Sequence, residues 1–236
     1  MRFVFAFIIS TLSLSLHAQD LNEYKKEIFT GKDQYLPYRI LFPLAFDTSK
    51  KYPLLVFCMA LMKREMITKH NWTLAVVTFW RILIARNFPA VIVFPQCPSN
   101  DVWAYFDAEF DSAGVLKRAI FPFRKEPTTV TSLLKQLVDS LMILPFIDVS
   151  KIYIGGLSQG GMGVFDMVAR YPNIFTAAFP ICGAGKVSTA DKFAKQTALW
   201  IFHGSDDDVV PVHFSRQFYQ KLKSLAPMFD IPNTRV

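Results

Sequence analysis

The sequence predicts a single α/β domain built on a mostly parallel sheet. Short apolar runs with a strand pattern alternate with longer segments of helical spacing. The strand-like runs are Tyr38–Pro43, Leu54–Phe57, Ala90–Phe94, Ile152–Gly155, Ala177–Ile181 and Leu199–His203, and the clearest helical segments are Val130–Leu144, Gly161–Tyr171 and Val212–Leu225. Continuous apolar strands that alternate with helices are typical of a parallel sheet covered by helices on both faces. A hydrophobic fraction of 52% and 23 Phe fit such a buried sheet and exclude a disordered chain.

Residues 1–18 have the pattern of a secretory signal peptide. Arg2 supplies a minimal basic region, and Phe3–Leu16 supplies the apolar region. This apolar run is shorter than the ~20 residues that a spanning helix needs, so a membrane anchor is the weaker interpretation. We expect cleavage near Gln19, which leaves one domain over residues 19–236. The mature protein is then secreted or periplasmic, without stable membrane insertion.

The cysteine and histidine patterns predict neither a disulfide framework nor a cofactor. Export permits disulfides, but the 3 Cys of the chain cannot all pair within it. Cys97 and Cys182 each follow a strand-like run, so both are expected at the same edge of the sheet, and a free buried thiol is predicted for each. The 4 His show no metal-ligand spacing, and no glycine-rich loop could cradle a phosphate. No metal and no other cofactor is therefore predicted.

The strongest chemical signal is Gly156-Leu157-Ser158-Gln159-Gly160, which follows an apolar strand and opens a helical segment. A strand–turn–helix context is what a serine nucleophile elbow requires. The glycines leave room for a strained turn that lifts the Ser158 hydroxyl to the helix N-terminus. There the helix dipole and the backbone N–H of Gln159 can face a developing oxyanion. The sequence thus predicts Ser158 as nucleophile and Gln159 as oxyanion donor, with a glycine-rich turn carrying an incidental serine as the alternative.

The second signal is the acidic loop Asp206-Asp207-Asp208, which follows the strand-like run Leu199–His203. In serine hydrolases with a nucleophile elbow, the triad acid follows the nucleophile in chain order and precedes the histidine. Among the three carboxylates, Asp207 best matches an H-G-x-x-D-x-x-V-P spacing. The alternative is a solvated acidic turn that caps the next helix.

At this point the chain resembles a known family, the secreted bacterial α/β-hydrolases that include carboxylesterases, phospholipase/carboxylesterase-like proteins and prolyl-oligopeptidase-type peptidases. The resemblance covers most of residues 35–57 and 87–225. The matching stretches are Leu36–Pro43, Lys51–Phe57, Phe88–Pro98, Trp103, Gly156–Gly161, Ala169–Pro172, Pro180–Gly183 and Trp200–Val212. It implies an α/β-hydrolase fold, a Ser-His-Asp acyl-enzyme mechanism without cofactor, and an ester substrate that is a small molecule or linked to a polysaccharide. Trp103 is then a candidate for the substrate pocket.

Two departures from the family pattern put the activity in doubt. The family has a His-Gly turn after the strand that ends here at Phe57, and that turn supplies a second oxyanion amide. This chain has Cys58-Met59-Ala60 there. The family's catalytic histidine follows a last strand, and no such strand and histidine loop is recognised before Val236. The resemblance therefore implies a domain whose C-terminal strand and histidine loop are missing, and an enzyme that is inactive as written.

A one-base frame shift would explain both departures. When the last base of each codon is joined to the first two bases of the next, the junctions from Phe57 to Ala60 read leucine, then histidine or tyrosine, then glycine. Further junctions yield the glutamate and aspartate of the family motif, and one yields either its glutamine or a stop. The same operation beyond about residue 226 gives an alternating pattern suited to a last strand. We therefore expect out-of-frame translation at 58–86 and 226–236; the alternative is an inserted lid helix and a short tail.

This interpretation removes three classes of binding partner and leaves three hypotheses for the function. The net charge of +7 and the basic, Met-containing segment at 58–86 would otherwise suggest nucleic acid, a membrane surface or a calmodulin-like partner. An out-of-frame segment has no selected pattern, so no nucleic-acid or membrane partner is predicted. The remaining hypotheses are a secreted serine esterase, a peptidase of the prolyl-oligopeptidase type, and a non-catalytic binding protein on the same fold.

Overall fold

The structure, a computed structural model, describes residues 24–225 except 33, 44, 60–87, 111 and 113–115. The predicted signal peptide at 1–18 and nearly all of the two proposed out-of-frame segments, 58–86 and 226–236, lie outside the described residues. Among the described residues, no helix combines the length and the apolar character that a membrane span requires.

Within the described part, the strands form a seven-stranded sheet and a separate two-stranded hairpin. The strands are β1 Lys25–Thr30, β2 Tyr35–Leu41, β3 Tyr52–Cys58, β4 Val91–Pro95, β5 Asp107–Phe110, β6 Leu116–Ile120, β7 Ile147–Leu157, β8 Ala177–Ile181 and β9 Ala198–Leu199. The large sheet has the order β1-β2-β4-β3-β7-β8-β9, and β5 pairs with β6. The β1–β2 and β2–β4 pairs are antiparallel, and all other neighbours in the large sheet run parallel. The prediction of a mostly parallel sheet is confirmed.

The three predicted helices are present close to their expected bounds. They are α1 Thr129–Met142, α2 Gln159–Arg170 and α3 His213–Leu225, and a 3₁₀ helix spans Val187–Lys192. Helix α1 begins where Thr128 caps it, because the Thr128 side chain accepts a hydrogen bond from the N–H of Thr131 at 3.2 Å. Such a cap satisfies one of the backbone donors that a helix start leaves without a partner.

The side chains of β3 alternate between the two faces of the sheet. Leu54 and Val56 belong to the main core cluster, to which all three helices contribute, whereas Leu55 and Phe57 belong to a second cluster on the opposite face. This alternation follows from the two-residue period of a strand. Among the described residues, strands and loops alone supply the second cluster. Within that part of the chain, the helical layer predicted for both faces is therefore observed on one.

The sequence prediction missed three polar strands and overestimated one apolar strand. Strands β1, β5 and β6 are rich in charged residues, so they lack the continuous apolar run on which the prediction relied. The run predicted at Leu199–His203 forms strand β9 only over Ala198–Leu199, and Phe202 then pairs with Ile181 in an isolated bridge. Because β3, β7 and β8 run parallel, their carboxyl ends meet at one edge of the sheet, which is where ligands bind in open α/β sheets.

Candidate active site

Ser158 lies in a strained turn between strand β7 and helix α2. Its backbone angles are φ 57° and ψ −119°, and a positive φ is uncommon for any residue other than glycine. The Ser158 N–H donates to the carbonyl of Ile181 at 2.8 Å, and the Ser158 carbonyl accepts from the Met162 N–H at 3.0 Å. These two hydrogen bonds hold the turn in the geometry of a nucleophile elbow.

Gly156 and Gly160 flank the turn, and glycine is required at both positions because backbone atoms of neighbouring segments approach them closely. A Cβ atom on Gly156 would collide with the carbonyl of Gly160, and one on Gly160 would collide with the carbonyl of Cys58. In the sheet register, Cys58 lies opposite Gly156. The end of β3 is therefore packed directly against the start of helix α2, with no space for a side chain between them.

The Ser158 hydroxyl lies at the start of helix α2. It makes no capping bond to the helix and, among the described residues, has no hydrogen-bond partner. The next residue, Gln159, is the first of the helix, where backbone N–H groups lack partners within the helix. The Gln159 N–H and the helix dipole can therefore stabilise an oxyanion that forms next to Ser158.

The Gln159 side chain has a different task from its backbone. It is buried, its Oε1 accepts from the Trp103 N–H at 2.9 Å, and its Nε2 donates to the Ala104 carbonyl at 3.3 Å. The indole Nε1–H of Trp103 in turn donates to the Met59 carbonyl at 2.8 Å. A chain of hydrogen bonds thus connects the start of helix α2 to the backbone that leaves β3.

Trp103, predicted as a candidate for the substrate pocket, is 0% exposed. Its carbonyl oxygen accepts a hydrogen bond from the Thr131 hydroxyl at 2.6 Å, so it also binds the first turn of helix α1. These contacts give Trp103 a structural role in joining three segments around the elbow. Contact between Trp103 and a substrate stays a prediction.

Among the three carboxylates in the acidic loop, Asp207 is the one that hydrogen bonds hold in place. Its Oδ1 accepts from the N–H groups of Val209 at 3.0 Å and Val210 at 2.8 Å. Asp206 and Asp208 are exposed, whereas Asp207 is half-buried. Burial on its own would raise the pKa of Asp207, but these N–H donors outweigh burial and hold the pKa below its ordinary value. Asp207 therefore stays ionised, as a residue that orients a histidine must.

His203 is held by two hydrogen bonds and lies beside Asp207. Its Nδ1 is 2.7 Å from the Ser215 hydroxyl, its Nε2 is 2.6 Å from the Val210 carbonyl, and Nε2 is also 3.5 Å from Asp207 Oδ2. His213 is exposed and its ring contacts Phe214. Neither of these two histidines hydrogen-bonds to Ser158, and the other two histidines of the chain lie outside the described residues.

Cys182 completes a cluster that the sequence did not predict. It follows β8 with φ 50°, and its N–H donates to the Phe202 carbonyl at 2.8 Å. Burial raises the pKa of its thiol, and the nearby Asp207 carboxylate raises that pKa further. Ligand atoms of Cys182, His203 and Asp207 all lie within 4.8 Å of one another, so these three side chains could hold a metal ion. All three cysteines of the chain are free thiols.

An apolar wall lies next to the elbow. The residues buried in it include Met162, one turn along the helix from Ser158, and Val210, which follows Asp207. Phe121 and Phe214 pack against them with ring centroids 5.1 Å apart. The same two rings line an open groove of about 350 Å³ together with Lys186. Apolar side chains therefore pack beside the start of helix α2 and the acidic loop.

Comparison with known proteins agrees with this arrangement. A sequence profile of the phospholipase/carboxylesterase family matches residues 87–232. It starts where the predicted resemblance resumes and extends past the predicted limit at residue 225.

Two curated proteins match parts of the chain. The chain is 28% identical over 106 residues to the bifunctional acetylxylan esterase/xylanase XynS20E of Neocallimastix patriciarum, and 42% identical over 50 residues to poly(3-hydroxyalkanoate) depolymerase C of Paucimonas lemoignei. These matches cover 45% and 21% of this chain but only 15% and 12% of the two relatives, so the chain spans a small part of their length.

Solved structures show the same fold. A thermostable esterase superposes with a TM-score of 0.70 at 28% identity, over 87% of this chain and 52% of that one. Est1E from Butyrivibrio proteoclasticus superposes with a TM-score of 0.58 at 15% identity, over 84% of this chain and 85% of that one. The family profile spans more than half of the sequence, and the chain therefore belongs to the phospholipase/carboxylesterase family and has the α/β-hydrolase fold.

Proposed function

We propose that this protein descends from serine hydrolases that cleave carboxylic esters and that Ser158 is its nucleophile. The observation that carries the proposal is the geometry of Ser158: φ 57°, a position at the start of helix α2, and a hydroxyl without a partner among the described residues. A strained backbone conformation lowers the stability of the folded state, and such conformations cluster at active sites. Family membership and the superposed thermostable esterase support the same assignment.

The reaction is an acyl transfer in two halves. The Ser158 oxygen attacks the carbonyl carbon of the ester while a histidine takes its proton. The Gln159 N–H and a second backbone amide hold the oxyanion of the tetrahedral intermediate. The C–O bond to the alcohol then breaks, the histidine returns its proton to the departing oxygen, and water cleaves the acyl-enzyme by the same steps.

Asp207 orients the histidine in this mechanism. Its Oδ1 is fixed by the N–H groups of Val209 and Val210, so its Oδ2 remains able to accept a hydrogen bond from an imidazole N–H. A carboxylate in this role selects the tautomer that can accept the serine proton. The low pKa of Asp207, set against burial by those N–H donors, keeps it charged at neutral pH.

We further propose that residues 1–236, as they stand, hydrolyse esters poorly. His203 is committed to Ser215 and Val210, and His213 is exposed beside Phe214, so neither described histidine serves Ser158. Without the triad histidine, a serine hydrolase retains only ~10³–10⁴-fold catalysis over water. The frame-shift hypothesis would supply a triad histidine, since a restored frame near residue 226 would lead into the family's last strand.

The substrate we propose is a small-molecule ester or an ester linked to a polysaccharide. The open groove lined by Phe121 and Phe214 suits an apolar acyl or alcohol group. One curated relative is an acetylxylan esterase, and one superposed structure is a ferulic acid esterase. We also propose export, with cleavage of the signal peptide at residues 1–18, to the outside of the cell or to the periplasm.

The coding DNA across codons 57–88 and beyond 225 is the first test. A frame shift in the DNA supports the esterase proposal, and an in-frame gene favours the non-catalytic binding protein. The second test assays the chain as written and a chain with the frame restored against aryl esters, acetylated xylan, a feruloyl ester and aminoacyl peptides. Ester turnover in the restored chain supports the proposal, and turnover of peptides alone would favour the prolyl-oligopeptidase-type alternative. Rapid ester turnover by the written chain that Ser158→Ala abolishes would show that the site is intact.

A further inference from the structure

Three side chains from separate segments converge at the carboxyl edge of the sheet. Cys182 follows β8, His203 follows β9, and Asp207 lies in the loop beyond it. Their ligand atoms lie within 4.8 Å of one another, although Cys182 is far from the other two in sequence. The proposed ester chemistry uses the Asp207 carboxylate but has no role for the Cys182 thiol or the His203 ring.

The distance between the nitrogen and oxygen ligands is close to that of a tetrahedral metal centre. His203 Nε2 lies 3.5 Å from Asp207 Oδ2. Zinc bonds of about 2.0–2.1 Å to nitrogen and oxygen place two such ligands ~3.4 Å apart in a tetrahedron. Cys182 Sγ lies within 4.8 Å of both of these ligand atoms, so the thiol reaches the same space. Small movements of the thiol would bring all three atoms around one ion.

Hydrogen bonds already orient the two side chains that would supply the oxygen ligand and the nitrogen ligand. The Asp207 carboxylate is held through Oδ1 by the N–H groups of Val209 and Val210, which leaves Oδ2 for a metal. His203 Nδ1 contacts the Ser215 hydroxyl, which donates onward to the Gly183 carbonyl at 3.2 Å. Metal-binding histidines characteristically use their second ring nitrogen in a hydrogen bond of this kind, which fixes the tautomer and the ring orientation.

We propose that Cys182, His203 and Asp207 form a binding site for one Zn²⁺ ion. A thiolate, an imidazole and a carboxylate are ligands that Zn²⁺ accepts together, whereas Mg²⁺ and Ca²⁺ prefer oxygen alone. On binding, the Cys182 thiol releases its proton to solvent. His203 Nε2 gives up its hydrogen bond to the Val210 carbonyl, and any proton on Nε2 also passes to solvent. A water molecule fills the fourth position.

The consequence for catalysis rests on the proposed function. A zinc ion on Asp207 Oδ2 occupies the oxygen that would accept a hydrogen bond from the triad histidine. Bound Zn²⁺ therefore inhibits ester hydrolysis in a form that carries the histidine, and a chelator reverses the inhibition. Zinc binding thereby regulates hydrolysis through Asp207, the carboxylate of the proposed triad.

The experiment titrates the full chain with Co²⁺, a spectroscopic substitute for Zn²⁺, under reducing conditions. We expect a thiolate-to-metal charge-transfer band that saturates at one Co²⁺ per chain and disappears when Zn²⁺ displaces it. Cys182→Ser should abolish the band, and Asp207→Asn should weaken binding by about tenfold or more. Cys97→Ser is the matched control, because Cys97 is also a partly buried free thiol but lies outside the cluster, and it should leave the band unchanged.

Two results would overturn the site: a folded wild-type chain without the band, or a band that survives in Cys182→Ser. If Cys182→Ser proves unfolded by circular dichroism, Asp207→Asn decides, since unchanged affinity in that variant removes the carboxylate from the site. The titration needs no ester turnover, so its outcome is independent of the proposed function. Zinc binding without inhibition of a hydrolytically active chain would overturn the proposed inhibition and leave the zinc site standing.

Discussion

The indole N–H of Trp103 donates to the Met59 carbonyl, while the backbone N–H of Trp103 donates to the Gln159 side chain. One buried residue thereby bridges the two places from which the oxyanion donors are expected, the start of helix α2 and the turn after β3. The relative position of two backbone amides decides how well they stabilise an oxyanion, since such donors must lie within about 3 Å of it. Trp103 is accordingly a positioning residue for the proposed oxyanion hole.

Trp103→Phe should destabilise the fold by about 1–3 kcal/mol. The substitution retains most of the apolar contacts but leaves the Met59 carbonyl without its donor, and an unsatisfied polar group costs roughly this much. Urea unfolding at neutral pH measures the difference. Trp200→Phe is the control, because Trp200 is 47% exposed and has no hydrogen bond to its indole among the described residues; an equal loss in both variants would contradict the bridging role.

Gly160→Ala should destabilise the protein by at least about 2 kcal/mol or prevent folding. The added Cβ would collide with the Cys58 carbonyl at the end of a central strand, and backbone there cannot yield without disrupting the sheet. Gly204→Ala is the matched control, since a Cβ at Gly204 meets nothing within 4 Å. Thermal unfolding followed by circular dichroism compares them, and similar stabilities would show that the elbow is not tightly packed against β3.

Ser158→Gly should stabilise the folded protein by up to about 1 kcal/mol. Glycine adopts φ 57° without strain, so the substitution relieves a cost that the serine imposes. The higher backbone entropy of glycine in the unfolded chain offsets part of this gain. The melting temperature is the measurement. Ser205→Gly should lower or leave unchanged the melting temperature, because Ser205 is exposed and has no positive φ; a lower value for Ser158→Gly would argue against strain at the elbow.

Sequence reasoning could name a candidate nucleophile and a candidate triad acid because both depend on local patterns. The elbow is predicted from residues 156–160, which follow one strand. Asp207 is predicted from the spacing of residues within its own loop. Gly163 carried an unused signal: glycine inside a helix calls for a close neighbour, and here a Cβ would lie 2.6 Å from the Cβ of Trp103. The glycine indicates that some residue packs closely against the helix, and the structure identifies that residue as Trp103.

Other features of the site were beyond the reach of local patterns. The contact between His203 and Ser215 and the approach of Cys182 to Asp207 depend on how β8, β9 and helix α3 are arranged in space. The charged strands β1, β5 and β6 escaped prediction because they form at the margin of the structure, where no continuous apolar run is needed. Pairing across distant segments is settled by tertiary structure and not by periodicity.

Asp207→Asn should change how stability depends on pH. Burial disfavours the charged form, but the N–H donors of Val210 and Val209 outweigh it and lower the pKa of Asp207 in the folded state. A lowered folded-state pKa means that its stabilising contribution is present above the unfolded value of about 3.9 and is lost as pH falls through the folded value. The free-energy difference between wild type and Asp207→Asn should therefore shrink on acidification.

Urea unfolding at a series of pH values from neutral to acidic tests this dependence. Asp206→Asn is the control, since the Asp206 side chain is exposed and makes no hydrogen bond among the described residues. Its stability should follow that of the wild type at each pH. A difference between wild type and Asp207→Asn that grows towards low pH would contradict the assigned hydrogen bonds.

Restoring the reading frame near codons 57 and 86, and again near 225, should produce an ester hydrolase. The restored segments are expected to supply the His-Gly turn after β3 and the histidine that follows the last strand. Ser158 and Asp207 would then have a proton acceptor between them and two amides aimed at one oxyanion position. The rate against pH should rise with a pKa of about 6.5–7, because the histidine must be neutral to accept the serine proton. Initial rates on a short-chain aryl ester give this profile.

The variants of the restored chain separate the assigned roles. Ser158→Ala should reduce hydrolysis to the level of the chain as written, and Asp207→Ala should lower kcat by several orders of magnitude because the histidine loses its orienting partner. Ser205→Ala, an exposed serine near the acid, is the matched control and should retain full activity. If the restored chain folds but cleaves no ester, or cleaves esters equally well as Ser158→Ala, then Ser158 is not the nucleophile. In that case the fold serves binding, and the strain at the elbow needs another explanation.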